Sequence, residues 1–409
     1  MHKLSSVPVL LGIVLFALIF SPPPPVHGFQ YIHFWNYNAS GILIVAGNHS
    51  YPAESYRFWN YYDNSSSQTC KQIMQNITLN NVSVEFIRQT ADIDGNLLLE
   101  YNLTTPLQPA DVLLWQEEWV FEVLDHRFDP PQISKEQSGN VSEISESLGG
   151  LQYGWYTRAT SLWKTNNDTL IDLAGLIRSE LAEEEQDNAL ALVYGAMAWI
   201  DANIHNPITI IEPQYPEELL VSEIGDCDDR SNLLIVLLRL FGIPCYLMTG
   251  HWYQEGAITA DFLWGSIAEE AYLYVNWQNG MGHAWVMAYI PPWGWLPFDL
   301  LSGYIAAEPS SAVYNSLYAR NVPLVTLWIC NGSDYIGERR AAQQDLFNYS
   351  LQRMEYEFWE FLGSVPILDP LYFSANTITI IALIATVSVL SCLIGIGMRR
   401  QPTQEETSS

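Results

Sequence analysis

The stretch Gly225–Gly250, GDCDDRSNLLIVLLRLFGIPCYLMTG, constrains the fold of this chain more than any other. From Leu233 to Leu240 it is apolar on nearly every side, so the pattern predicts a helix over roughly Cys227–Phe241 that is covered from more than one direction. Gly242 and Pro244 stop that helix, and a short β-prone run follows. Asp226, Asp228 and Asp229 crowd its start, where unpaired backbone N–H groups and the helix dipole favour negative charge. Cys227 lies in the same first turn. That position favours a thiolate, which makes Cys227 a candidate nucleophile, while the adjacent carboxylates work against the thiolate.

The flanking sequence fixes the class of fold around this helix. Leu170, Leu173, Ile177 and Leu181 recur at helical spacing, and Asn188 can cap a second helix with Leu192, Val193, Ala196, Trp199 and Ile200 on its apolar stripe. Beyond Gly242 the runs IPCYLMTGHW, AYLYVNW, GHAWVMAYI and GWLPFDLL read as strands, punctuated by Gly280, Gly282, Pro291-Pro292 and Gly294. Helices first and an antiparallel sheet second define an α+β domain.

A thiol nucleophile requires a base to take its proton and a group to orient that base. His283 opens one strand-like run and Asp299 ends the next, so two neighbouring antiparallel strands can set them side by side. Three ordered blocks therefore stand together: G-D-C-D-D with L-L-R-L-F-G-I-P-C-Y-L-M-T-G, then G-H-A-W-V, then G-W-L-P-F-D. Over about Asp168–Gly303, including Trp199–Ile204, the chain resembles the transglutaminase-like superfamily, a papain-like fold group. The resemblance implies a catalytic triad at Cys227, His283 and Asp299, and acyl transfer from an amide through a Cys-acyl intermediate. It also implies a choice of outcomes, since the family holds peptidases, amidases, cross-linkers and inactive members. Hydrolysis of peptide or side-chain amides is the expectation, because no β-sandwich domains of the large cross-linkers are evident after the core. The alternatives are protein-glutamine transamidation and a non-enzymatic cell-surface binding role that keeps the fold.

No cofactor or metal is expected. The three acids beside Cys227 lack the Gly-spaced loop of a calcium site, and no second close pair of ligands supports zinc. Trp285 and Trp295 read as core aromatics, Cys245 as packing, and His251 as a surface histidine after a strand end. Cys70 and Cys330 are the candidates for a disulfide.

The ends of the chain point to export. Residues 1–28 have a basic start, a short apolar run and a Pro stop, as a signal peptide does. Residues 375–398 carry no charge and precede Arg399-Arg400, which predicts a single spanning helix with residues 399–409 as a cytoplasmic tail. Asn38, Asn48, Asn64, Asn76, Asn81, Asn102, Asn140, Asn167, Asn331 and Asn348 each begin an Asn-x-Ser/Thr sequon, and none falls between Thr169 and Cys330. The expected organisation is a β-rich accessory region with a linker (29–150), a transglutaminase-like domain (151–305) and a membrane-proximal region (306–374). In the accessory region Asp92-Ile93-Asp94-Gly95 reads as a turn between strands, Asp111–Asp125 as strand or helix, and Ser134–Ser147 as linker. Asp345–Leu362 has helical spacing and fits a helix at the membrane surface.

Charge narrows the partners. With 45 acidic against 17 basic side chains the formal charge is −28, which excludes nucleic acid as a partner because phosphates require basic surface. A protein or peptide substrate remains, together with the membrane itself.

Overall fold

The computed structural model describes residues 30–52, 55–60, 68–103, 105–124, 133–207, 212–253, 259–300, 313 and 324–367. The N-terminal strands are β1 (Gln30–Val45), β2 (Ser55–Asn60), β3 (Gln68–Leu79), β4 (Val82–Ser83), β5 (Glu85–Ala91), β6 (Leu97–Asn102) and β7 (Val112–Leu124). Helices follow: α1 (Val141–Leu148), α2 (Gly150–Thr157), α3 (Asp168–Glu180), α4 (Ala189–Asn203), α5 (Pro216–Ser222) and α6 (Cys227–Phe241). Then come β8 (Cys245–Tyr253), β9 (Thr259–Ser266), β10 (Ala271–Gln278), β11 (Gly280–Ile290), β12 (Gly294–Phe298), β13 (Leu324–Cys330), α7 (Tyr335–Asn348) and β14 (Leu351–Ile367).

The α6 helix has the bounds that its apolar run predicts. Asp226 and Asp229 form a reciprocal capping box at its start. At its end Gly242 takes a left-handed conformation, φ +86°, and its N–H closes on the Arg239 carbonyl. Every side chain from Leu233 to Leu238 is fully buried. The helix packs against α3, α4 and α5 on one side and against β8 and β11 on the other, which is why it needs no polar face. Each such side chain contributes about 1.5–3 kcal/mol of burial.

β12, β11, β8 and β13 pair in that order as a four-stranded antiparallel sheet over α6. β10, also expected in that sheet, belongs to another one, where it pairs with β9. A seven-stranded sheet runs β4-β3-β7-β1-β14-β10-β9, with β14 parallel to β10. Strands from the N-terminal region, the middle of the chain and its C-terminal part therefore share one sheet, and Ile32–Val365 form one compact unit. A third sheet pairs β2, β6 and β5. The turn at Asp92–Gly95 joins β5 to β6 as its residues predict, with Gly95 at φ +88°.

Several expectations are corrected. The C-terminal transmembrane helix is not found: among the described residues no helix is long and apolar enough to cross a membrane. The longest described helices, α4 and α6, have 15 residues each, short of the roughly 20 that a bilayer requires. Residues 375–398 lie outside the described residues, as do the signal segment 1–28, the tail 399–409, Asp129-Pro130-Pro131 and Cys392. Asp345–Leu362 is not one helix. α7 ends at Asn348, Ser350 turns the chain at φ +48°, and the remainder is β14, whose alternation places Trp359 in the core. Of Asp111–Asp125, Val112–Leu124 is a strand, with Leu113, Trp115, Trp119, Phe121 and Val123 on its buried side. Ser134–Ser147 is not open linker, because α1 occupies most of its second half and buries Ile144.

Candidate active site

The three candidate residues meet where α6 begins against β11. The chain enters α6 through Asp226, so Cys227 occupies its first turn, half-buried against the main core. The backbone N–H of Ala284, the residue after His283, donates to the Cys227 sulfur. This contact fixes the helix start against the strand that carries the base. His283 is buried on β11, and its Nε2 lies 2.9 Å from Asp299 Oδ2. Asp299 follows β12 directly and is itself 2% exposed. The β11–β12 pairing, with Val286 opposite Phe298, is what brings the two side chains together. Because Nε2 faces the carboxylate, Nδ1 is the ring nitrogen left to accept a proton. The Trp285 ring stacks near the imidazole, with centroids 6.0 Å apart and planes 23° from parallel.

Electrostatics hold the resting thiol neutral. Burial pushes the Cys227 thiol well above its ordinary pKa, and the charges of Asp228 and Asp226 push it further. The Ala284 N–H acts in the opposite direction, and Asp299 adds to the upward push. The contest between helix start and acids that the sequence poses is thus decided for the acids and for burial.

Several residues beyond the three candidates organise this point, and of them Tyr335, Asn232, Trp163 and Arg230 were not singled out in the sequence. Tyr335, the first residue of α7, donates its hydroxyl to Asp228 Oδ2 at 2.9 Å and accepts from Asn232 Nδ2 at 2.6 Å. Asn232 in turn accepts from Trp163 Nε1 at 3.1 Å. Arg230, buried in α6, donates to the Leu300 carbonyl at 3.2 Å and to Asp201 at 2.9 Å, so the nucleophile's helix grips the residue next to Asp299. Asp229 is fully buried and accepts from the Gln214 backbone N–H at 2.7 Å. Burial and the neighbouring Asp228 raise its pKa to about 7. Arginine within a buried, largely apolar helix was a readable signal for Arg230, as it was for Arg239. Tyr335 lies more than a hundred residues from Asp228, and no local pattern announces it.

Asp226, Cys227 and Asp228 bring their potential ligand atoms within 4.8 Å of one another. Asp228 is engaged by Tyr335 and Asp226 caps α6, so both carboxylates have structural work without an ion.

The other candidates sort as follows. His251 is not at the surface: β8 is flanked by β11 and β13, and burial lowers the pKa of His251 to about 4. Its Nε2 lies 3.5 Å from Glu357 Oε2 and its ring 5.2 Å from the Trp359 ring; it pairs with Gly282 across β11, so strand alternation turns it to the opposite sheet face from His283. Cys245 is buried packing, its thiol donating to the Ile235 carbonyl at 3.5 Å. Trp285 is buried, and Trp295 packs among Tyr156, Tyr246 and Tyr289. Cys70 and Cys330 form no disulfide; Cys330 is buried and donates to the Ser333 carbonyl at 3.3 Å. Asn331, one of the sequon residues, is buried and accepts from Arg239 at 2.7 Å.

Residues 177–300 match the family model of the transglutaminase-like superfamily, a segment that holds Cys227, His283 and Asp299. This part of the chain is transglutaminase-like. The uncharacterized protein YebA of Bacillus subtilis (strain 168) is 34% identical over 87 residues, which is 21% of this chain and 11% of that protein's length. Among solved structures, a candidate cysteine protease from Cytophaga hutchinsonii matches at 12% identity and a TM-score of 0.39, covering 83% of this chain and 93% of that one. Red sea bream transglutaminase matches at 9% identity and a TM-score of 0.25, covering 63% and 50%. At such scores these structural likenesses bear on no activity.

Proposed function

We propose that this protein is a thiol enzyme that cleaves peptide or side-chain amides through an acyl-cysteine at Cys227. The observation that carries the reading is the convergence of the Ala284 N–H on the Cys227 sulfur with the 2.9 Å His283–Asp299 bond. The family match over residues 177–300 supports a cysteine enzyme of this general kind.

The resting state is a neutral thiol, so His283 acts as general base in the attacking step itself. As the sulfur bonds to the amide carbon, Nδ1 takes the thiol proton, and Asp299 balances the imidazolium through Nε2. The Cys227 backbone N–H, at the helix start, is positioned as a donor to the developing oxyanion. Collapse of the tetrahedral adduct breaks the C–N bond, and the imidazolium gives its proton to the leaving amine. Water then enters, loses a proton to His283 and releases the acid, which restores the thiol.

The test is incubation of the full-length protein with a glutamine-containing peptide, followed by mass spectrometry of acid-quenched samples. An acyl adduct on Cys227 with release of ammonia or a peptide fragment is expected, absent in Cys227→Ala and strongly reduced in His283→Ala. A labelled primary amine added to the same reaction identifies the acceptor. Amine incorporation exceeding hydrolysis would replace the hydrolytic reading by transamidation. No adduct with any of a panel of peptide amides, alongside no preferential alkylation of Cys227, would sink the enzymatic reading.

A further inference from the structure

The seven-stranded sheet carries a hollow on the face turned away from its aromatic core. Side chains alternate along each strand, so Trp35 and Tyr37 of β1, Trp119 of β7 and Trp359 of β14 are buried on one face. On the opposite face the register lines up Gln116 with Ser40, Asn276 with Tyr356, and Gln278 with Phe358. Two adjoining hollows of about 360 and 390 Å³ lie there and share Ser40, Gln116 and Tyr356.

The lining chemistry is selective. Its polar side chains are mostly amides and hydroxyls, which both donate and accept. Tyr356 and Phe358 leave 48% and 38% of their surface exposed, and among the described residues no Lys or Arg lines either hollow. Anionic ligands therefore find no counter-charge, in a chain that already carries −28. Glu117 and Glu357 also border the first hollow, but strand alternation turns their side chains to the core face, where Glu117 accepts from Trp119 Nε1 at 3.1 Å and burial raises the pKa of Glu357 to about 8. A peptide strand would need an open sheet edge, but β7, β1, β14 and β10 are all interior strands paired on both sides. What remains is a neutral ligand rich in hydroxyls with flat C–H faces for the aromatic rings.

We infer that this outer sheet face is a binding groove for a neutral oligosaccharide, with Ser40, Gln116 and Asn276 bonding its hydroxyls and Tyr356 lying against a sugar ring. The saccharide has two possible sources. Asn38 and Asn76 both line the hollows and both begin Asn-x-Ser/Thr sequons, so the chain's own glycan is one and a free or partner-borne saccharide is the other.

The experiment is calorimetric titration of full-length protein, made in a host without N-glycosylation, with two probes: the mannose–chitobiose core of N-glycans and a neutral glucan hexasaccharide. Saturable binding of at least one is expected, weakened about tenfold or more by both Tyr356→Ala and Gln116→Ala. Near-UV circular dichroism and Cys227 alkylation should stay unchanged, because both side chains are exposed on the outer sheet face and neither bonds to Cys227, His283 or Asp299 among the described contacts. Repeating the titration on glycosylated protein separates the sources: lost binding marks the chain's own glycan as occupant, and retained binding marks an external saccharide. No binding of either probe at millimolar concentration by the unglycosylated protein overturns the inference. So does binding that both variants leave intact.

Discussion

Asp229 offers a quantitative test of how the α6 start is held. Its carboxyl is fully buried at the third helical position, pushed up first by burial and second by Asp228, to a pKa of about 7 against an ordinary 3.8. The unfolded chain releases this proton near pH 4, whereas the folded protein keeps it to about pH 7. Across that window the folded state binds more protons, so stability falls as pH rises from about 4 to 7 and the full penalty stands above 7. The difference of about three pKa units corresponds to at most about 4 kcal/mol, part of it shared with Asp228. Asp229→Asn removes the charge and keeps an oxygen for the 2.7 Å bond from the Gln214 N–H, giving up the longer 3.4 Å contact from the Asp226 N–H. The variant should therefore be near neutral at pH 5 and more stable than wild type by over about 1 kcal/mol at pH 8. Thermal unfolding at both pH values is the assay, with a rise of several degrees at pH 8 and little change at pH 5. A variant destabilised at pH 8, or shifted equally at both, would refute the buried-charge argument and leave Asp229 as an ordinary cap.

Four further outcomes follow from the same geometry. Asp228→Asn removes the largest charge contribution against the Cys227 thiolate, so the pH profile of iodoacetamide alkylation at Cys227 should move to lower pH; an unmoved profile would show that burial alone sets it. Asp299→Asn keeps a side chain of the same shape but not the charge that balances the imidazolium, and acylation should fall on the order of 100- to 10,000-fold with the fold intact by circular dichroism. Arg230→Ala leaves the Leu300 carbonyl without its buried donor and breaks the bond to Asp201, which should cost about 3 kcal/mol in denaturant unfolding; a change below about 0.5 kcal/mol would show the grip is dispensable. Leu234→Ala should cost about 2–5 kcal/mol, since α6 is covered on both sides and has little room to collapse.

The elements nearest the site were the most legible because local chemistry determines them. Asp226, Gly242 and an unbroken apolar run leave α6 one register, and Asn167 and Asn188 cap α3 and α4 through Leu170 and Ala191 N–H. His283 and Asp299 share adjoining strands joined by a tight turn, so their meeting could be read from sequence spacing. Pairings between distant segments could not. Nothing in AYLYVNW says that β10 leaves the sheet of β11 to lie beside β14, because alternation identifies a strand but not its neighbour. The aromatic stretch after Asn348 satisfies helical and strand periodicity alike, and only the turn at Ser350 separates them. His251 read as exposed because a strand end was assumed at Gly250; β8 continues to Tyr253 and keeps it inside.

The position of β14 has a consequence for biosynthesis. It is the last strand described, yet it sits between β1 and β10, in the interior of the sheet. About 300 residues separate the end of β1 from the start of β14, so at ordinary ribosomal speeds β1 waits roughly 15–60 s for that neighbour. During that interval its bare backbone is open to pairing with a strand of another nascent chain. Closure of the sheet is thus a late step in its assembly. A ribosome stalled before Leu351, or a chain clipped there, would leave two half-sheets with adhesive edges, which makes β1 and β10 the strands most in need of chaperone cover.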